Sequence, residues 1–309
     1  MGLMRWALLA ASENRWLEEH APRYRFVRRA VARFMPGEHL DDALTAAREL
    51  QAMGMAAILT ELGENVTEPG AADAVTEHYL DVVDKAHALG LDAHPSVKLT
   101  QLGLDIGQAA CIRRLETIVD RAGARGGVVW IDMESSAYTD RTIEVFRHVR
   151  ARRPSVGVCL QAYLRRTAND LDGLLSLGPA IRLVKGAYNE PADRAFPAKA
   201  DVDRSFLACC ERLMTSEARR LGATLAVATH DRPLIERIKE AAAAAGLPSA
   251  QLHFQMLYGI QREEQRRLVT DGHRVRVLIS YGTAWYRWYV RRLAERPENV
   301  LFVLKNLLG

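Results

Sequence analysis

Eight short apolar segments separated by helical stretches constrain this chain more than any other feature. They are AAILTEL (56–62), DAHPSVKL (92–99), VVWIDM (128–133), VGVCLQA (156–162), IRLVKGA (181–187), TLAVATH (224–230), LHFQML (252–257) and VRVLIS (275–280). Their length and their aliphatic, β-branched content are those of buried strands. Between them run apolar residues at helical spacing. The clearest case is 107–122, where Cys111, Leu115, Ile118, Val119 and Ala122 share one face. Helices are also predicted over 139–152, 167–177, 200–221, 232–245, 262–271 and 284–296, the last stopped by Pro297.

Strands that alternate with helices favour a parallel sheet, because parallel neighbours need a crossover between them. Eight such units close into a barrel. The competing arrangement, an open doubly wound sheet, usually carries a glycine-rich turn after its first strand, and this chain contains no G-x-G. The predicted fold is therefore an α/β (β/α)8 TIM-type barrel over residues 55–309. Residues 1–54 form an N-terminal helical extension, with helices over 27–34 and 40–54 split by the PGE at 36–38.

Composition removes several function classes. With 309 residues, 49% hydrophobic and 26% charged, the chain can bury a large core and is not disordered. The net charge of +4 is mild, only six of the 42 Lys and Arg residues are lysine, and no block of like charge forms a nucleic-acid arm. No nucleic-acid partner is expected. The four cysteines, Cys111, Cys159, Cys209 and Cys210, form no C-x-x-C pair, so neither a zinc site nor a disulfide framework is predicted. A reducing cytoplasm is the expected compartment. No secretory signal is read at the N-terminus, and no apolar run approaches the roughly 20 residues of a spanning helix. Peripheral contact with the inner face of a membrane stays open, as does the oligomeric state.

In a barrel the chemistry sits where the strands end. The ends here offer Glu61, Lys98, Asp132, Gln161, Lys185, Thr229 with His230, Gln255 and Ser280. One polar strand end can simply be meeting water; eight around one mouth make a polar site the better account. No H-E-x-x-H, nucleophile elbow or phosphate-binding G-x-x-x-x-G-K-[ST] loop is present, and no metal is expected. Cys159 lies within a strand and reads as core. Asp132 and Glu134 fall on opposite faces of a continuing strand, so they do not form an obvious acid–base pair. Arg291 and Arg292 suit a bidentate carboxylate clamp, although the chain holds seven adjacent Arg pairs. The residues taken alone point to a barrel enzyme that binds a small anion beside a cofactor carrying the hard step.

Taken together, the strand ends resemble the proline dehydrogenase family in its short, single-function bacterial form. The resemblance is carried by SVKLTQLGLD (96–105), VWIDMESS (129–136), LQAYLRRTANDL (160–171), RLVKGAYNEP (182–191), KADVD (199–203), ATHD (228–231), FQMLYGI (254–260) and WYVRRLAERP (288–297). FVRRAVARFMPGE and LTELGENVTEP extend it toward the N-terminus.

The resemblance implies a flavin-bearing barrel that oxidises L-proline to Δ1-pyrroline-5-carboxylate by hydride transfer to FAD. Electrons would then pass to a quinone or another acceptor. It implies that Lys98, Arg291 and Arg292 hold the substrate carboxylate, that Asp132 organises the Lys and Arg side chains, and that Arg182 lies near the flavin. Met133, Gln161, Lys185, Gly186, Ala187, Thr229, His230, Gln255 and Glu295 match flavin-site positions, and Tyr188 and Leu257 match the substrate pocket. Two positions depart from the family pattern: Leu278 and Trp288 stand where tyrosines are usual in the wall around the ring. Tyr281, Tyr286 and Tyr289 are the neighbours able to restore a phenol there. The departures leave another cyclic secondary amino acid, hydroxylated or six-membered, as the alternative substrate, and a barrel that binds without catalysis as a further alternative.

Overall fold

The computed structural model describes residues 31–286 together with His20, Tyr289 and Val290. Trp288, Arg291, Arg292 and Glu295 lie outside the described residues, as does most of the helices expected over 27–34 and 284–296. Eight parallel strands run β1 (Ala56–Glu61), β2 (Ala93–Val97), β3 (Val129–Ile131), β4 (Val156–Gln161), β5 (Ala180–Val184), β6 (Thr224–Ala228), β7 (His253–Leu257) and β8 (Arg274–Tyr281). They pair in chain order, and β8 closes on β1.

The helices are α1 (Leu40–Ala52), α2 (Pro69–Ala88), α3 (Gln108–Ala124), α4 (Thr139–Arg150), α5 (Thr167–Leu174), α6 (Lys199–Met214), α7 (Ser216–Arg220), α8 (Arg232–Ala244) and α9 (Arg262–Thr270). Three differ from expectation. Helix α2 adds a crossover between β1 and β2; much of its buried face is small or polar (Ala72, Thr76, Ala86), which weakens its apolar stripe. The single helix expected over 200–221 is two, because Thr215 leaves helical geometry and caps α7 by accepting from the Ala218 N–H at 3.2 Å. The segment expected over 167–177 tightens into a 3₁₀ turn at Leu175–Leu177, ended by Gly178 in the left-handed region. Among the described residues no helix is long and apolar enough to cross a membrane.

Strands of a closed parallel barrel are covered on both faces, and here the two faces differ in kind. Outward residues such as Leu59, Val97, Ile131, Leu183 and Val277 join one apolar core with the helices. Inward, Ile58, Trp130, Ala180 and Ala226 form a small separate cluster against Val128 and Leu278. Parallel residues in register share a face, and the registers step round the barrel to give interior layers of four from alternate strands. Ile58, Trp130, Arg182 and Gln255 make one layer, followed toward the mouth by Ser96, Cys159, Ala228 and Leu278. Thr60, Asp132, Val184 and Leu257 come next. The Trp130 ring needs the space over Gly157, where a Cβ would lie 2.7 Å from an indole carbon.

At the opposite end of the lumen, His94 and His253 sit with Arg276. Burial, then the Arg276 charge, pushes His94 down to about 3; burial, then Arg274 and Arg276, pushes His253 down to about 4. Both are therefore neutral in the folded chain where an unfolded histidine, pKa ~6.5, takes up a proton. In that window the unfolded state binds more protons, so stability is full above pH ~6.5 and falls as pH drops from ~6.5 toward ~4. Urea midpoints at pH 7.5, 6 and 5 are expected to fall in that order, and less steeply in His94→Gln/His253→Gln. Equal slopes in the two proteins would count against the assignment.

Residues 33–38 lie across the β7–β8 side. Gly259, at φ +75°, backs onto the Arg33 carbonyl, where a Cβ would come within 1.7 Å. Trp285 Nε1 donates to Glu38 Oε1 at 2.9 Å, and Phe34 packs on Tyr289 with ring centres 6.1 Å apart.

Candidate active site

The mouth of the barrel gathers side chains from strands far apart in sequence. Lys98 follows β2, Asp132 follows β3, and Arg182 projects from the middle of β5. Arg182 Nη2 donates to Asp132 Oδ1 and, at 3.1 Å, to Ser96 Oγ; the Ser96 hydroxyl donates to the same Asp132 oxygen at 2.8 Å. Lys98 Nζ lies 3.4 Å from Asp132 Oδ2. The Arg182 guanidinium also sits 5.5 Å from the Trp130 ring centre.

Burial alone would raise the Asp132 carboxyl pKa. The Arg182 and Lys98 charges and the Ser96 hydroxyl outweigh it and hold the group below its ordinary value. Burial likewise opposes the Arg182 charge, and Asp132 overcomes it. Two cations thus share one carboxylate. The three groups carry one net positive charge in a low-dielectric lumen, and such a charge favours an anionic ligand.

Asp132 and Glu134 are separated for a reason other than strand alternation, since β3 ends at Ile131. Glu134 turns to the segment after β2, accepting from the Thr100 N–H at 3.2 Å and its hydroxyl at 2.7 Å. Burial raises its pKa against those hydrogen bonds. Cys159 is buried, its thiol pushed up by burial, which fits a core residue.

The flavin-site candidates fall on a second arc of the same mouth. Gln161 Nε2 donates to the Glu134 carbonyl at 2.7 Å. His230 Nε2 accepts the Leu257 N–H at 3.1 Å, which places the ring proton on Nδ1. Thr229 Oγ1 accepts from the Asp231 N–H at 3.2 Å. Met133 is buried and packs in the main apolar cluster, to which the lumen residue Cys159 also belongs. Lys185 Nζ donates to Asp203 at 2.5 Å and Asp231 at 2.6 Å, and Lys199 bonds the same two carboxylates. This quartet is neutral overall. Burial tends to raise Asp231, but its lysine partners bring it down to about 2. Asp231 also caps α8 through the Leu234 N–H.

Gly186, at φ +122°, lets the chain after β5 pass over Tyr163, where a Cβ would fall 2.3 Å from a ring carbon. Ala187 and Tyr188 follow it, half-buried. In the interior layer below, Gln255 Oε1 and Arg182 Nη1 are buried without a hydrogen-bond partner among the described residues, Cys159 lying beside the guanidinium. A buried acceptor and donor in one layer suit a polar ligand bound across the lumen. These features fit a planar group held against the β5 turn.

Leu278 pairs in register with Leu257, and both are half-buried on the lumen side. Tyr281 does not replace the missing phenol: it is fully buried on the outer face, with its hydroxyl 2.8 Å from His78 Nε2 on α2. Tyr289 is buried between Phe34 and Trp285.

Ser96, Trp130, Asp203 and the bridging role of Asp231 escape the sequence reading. Strand periodicity carries part of the signal: Ser96 and Trp130 stand two residues before Lys98 and Asp132 and so share their face. Nothing in the sequence pairs Asp203 with Lys185.

Comparison with known proteins agrees with the fold and identifies the family. The family model described as proline dehydrogenase matches residues 43–305. Proline dehydrogenase 1 of Bacillus subtilis (strain 168) is 35% identical over 306 residues, 99% of each chain. Proline dehydrogenase of Deinococcus radiodurans is 35% identical over 311 residues, 99% of this chain and 98% of its own. Among solved structures, proline utilization A from Bdellovibrio bacteriovorus, inactivated by N-propargylglycine, superposes with a TM-score of 0.83 at 23% identity. That match covers 95% of this chain and 36% of the longer one, and it bears on the fold alone.

Proposed function

The chain belongs to the proline dehydrogenase family, and from that premise we propose that it oxidises L-proline to Δ1-pyrroline-5-carboxylate with FAD as the bound hydride acceptor. It is an oxidoreductase acting on proline in proline catabolism. The observation that carries the site assignment is the excess positive charge of Lys98 and Arg182 over Asp132 inside the barrel.

Bound FAD would supply the hydride acceptor for the ring carbon next to nitrogen, with a quinone or another acceptor as the final electron sink. Gly186, Ala187, Met133, Gln161, Thr229, His230 and Gln255 would hold the flavin, together with Lys185, which Asp203 and Asp231 fix in place. Glu295, outside the described residues, matches a flavin-site position of the family pattern. Lys98 would bind the proline carboxylate, a role that the family resemblance also gives to Arg291 and Arg292. A charge-assisted clamp fixes the orientation of the ring as well as its affinity. Asp132, kept ionised below its ordinary pKa, is a poor proton acceptor at neutral pH. Its work is to hold the two cations in place. Tyr188, Leu257 and Leu278 would wall the ring, a place that the family resemblance also gives to Trp288. The four cysteines are buried and free, which supports a reducing setting.

The test is an anaerobic absorbance spectrum of the purified protein before and after L-proline. Oxidised flavin that bleaches on mixing is the expected result. Flavin that bleaches only with a hydroxylated or six-membered analogue moves the substrate. Absence of flavin after reconstitution with FAD removes the cofactor assignment.

A further inference from the structure

We propose that Ser96 is a positioning residue, whose hydroxyl locks the Asp132 carboxylate and the Arg182 guanidinium into one orientation for substrate binding. The proposal rests on the reading above, in which Lys98 takes the substrate carboxylate. Ser96 is fully buried, and its Oγ touches both members of the ion pair: it donates to Asp132 at 2.8 Å and accepts from Arg182 at 3.1 Å.

The anchor of this hydroxyl lies outside the lumen. The pairing of β1 with β2 runs only from Ala57↔Ala93 to Leu59↔Pro95, so Ser96 sits just past it. Tyr79 of α2 bridges the two strands there, donating to the Ser96 carbonyl at 2.9 Å and accepting the Glu61 N–H at 3.2 Å. The Ser96 backbone is therefore fixed by the helical shell, while its side chain fixes the ion pair.

An aspartate carboxylate has a broad terminal torsion and turns readily unless both oxygens are engaged. Lys98 approaches Oδ2, while Arg182 and Ser96 share Oδ1. With Ser96 Oγ absent, Oδ1 keeps only Arg182, and Arg182 Nη2 keeps only Asp132. The pair can then rotate as a unit over the Trp130 ring, carrying Oδ2 away from Lys98. The substrate carboxylate would meet a displaced ammonium.

The test compares the wild-type holoenzyme with Ser96→Ala and Ser96→Thr. Melting temperature and flavin content of Ser96→Ala are expected to stay near wild type, since one oxygen is removed and no atom added. Its kcat/KM for proline is expected to fall about 10- to 100-fold, the size of one lost charge-assisted hydrogen bond. The loss should fall in KM rather than kcat, because a displaced Lys98 ammonium weakens capture of the substrate carboxylate and leaves the flavin in place. Threonine keeps the hydroxyl and suits a strand, and should restore KM.

A Ser96→Ala enzyme with wild-type KM overturns the proposal. So does a loss confined to kcat, which is what a packing defect gives. Binding of cyclopentanecarboxylate, a five-membered-ring carboxylate with no amine to oxidise, followed by calorimetry, separates the two levels of the argument. If proline fails to reduce wild-type flavin, the functional reading fails. Ser96→Ala must still weaken cyclopentanecarboxylate binding for the positioning role to stand.

Discussion

Asp132→Ala is expected to be the most damaging single substitution at the mouth of the barrel. It leaves the ammonium of Lys98 and the guanidinium of Arg182 facing each other with no carboxylate between them. Arg182 is 3% exposed, so its charge has little water to turn to. Removing one partner of such a buried pair costs about 3–5 kcal/mol, which for a domain of this size lowers the melting temperature by roughly 10 °C. Proline-dependent flavin reduction is expected to fall by about a thousandfold or more, because the carboxylate clamp loses its support as well as its geometry. Asp132→Asn separates the two effects: it keeps the shape and removes the charge, and should retain more stability than the alanine variant while remaining impaired. Melting curves and single-turnover reduction, measured together, check both. A stable and active Asp132→Ala protein would remove the ion pair from the account.

The second large effect is expected at Gly186→Ala. The position has φ +122°, where a side chain is strained, and the added methyl would fall 2.3 Å from the Tyr163 ring. Tyr163 has limited room to yield, because it is buried and its N–H donates to the Lys185 carbonyl at 2.8 Å. The turn after β5 must shift instead, and it carries Lys185, Ala187 and Tyr188. The expected result is a protein that still folds but retains flavin at least tenfold less tightly. It should be visible as substoichiometric flavin after purification and as a melting temperature that rises on adding FAD. Ala187→Gly serves as a control, since it adds nothing to the turn. Full flavin occupancy in Gly186→Ala would show that the turn does not bear on the cofactor.

Much of the barrel was legible because the physics that builds it is local. Each strand segment is short and aliphatic, and each helix has its own apolar face. Cys111, Leu115, Ile118, Val119 and Ala122 are the residues α3 buries, as their spacing implies. The absence of a glycine-rich turn correctly disfavoured the open sheet. Helix α2 was harder to read because it buries alanine and threonine beside Tyr79 and Leu80, and the break at Thr215 depends on a cap that apolar periodicity does not report.

The site was legible only as a set of residue types at strand ends. Lys98, Asp132 and Arg182 could be named from their motifs, but which cation meets which carboxylate oxygen could not. That depends on the stagger of the closed barrel. The stagger lifts Asp132 above Arg182 and places Ser96 between them, although 86 residues separate Ser96 from Arg182. Tyr281 shows the same limit in the other direction. It lies three residues from Leu278, an odd number along a strand, and so faces the helices.

The sequence by itself determined the alternation of strand and helix, the polar strand ends and the membership of a family, because each is written in local pattern. The tertiary structure alone decided that two cations share one carboxylate, that Lys185 is neutralised by Asp203 and Asp231, and that Trp130 floors the lumen over Gly157. These depend on barrel closure, which brings distant strands together at a register that no single segment encodes.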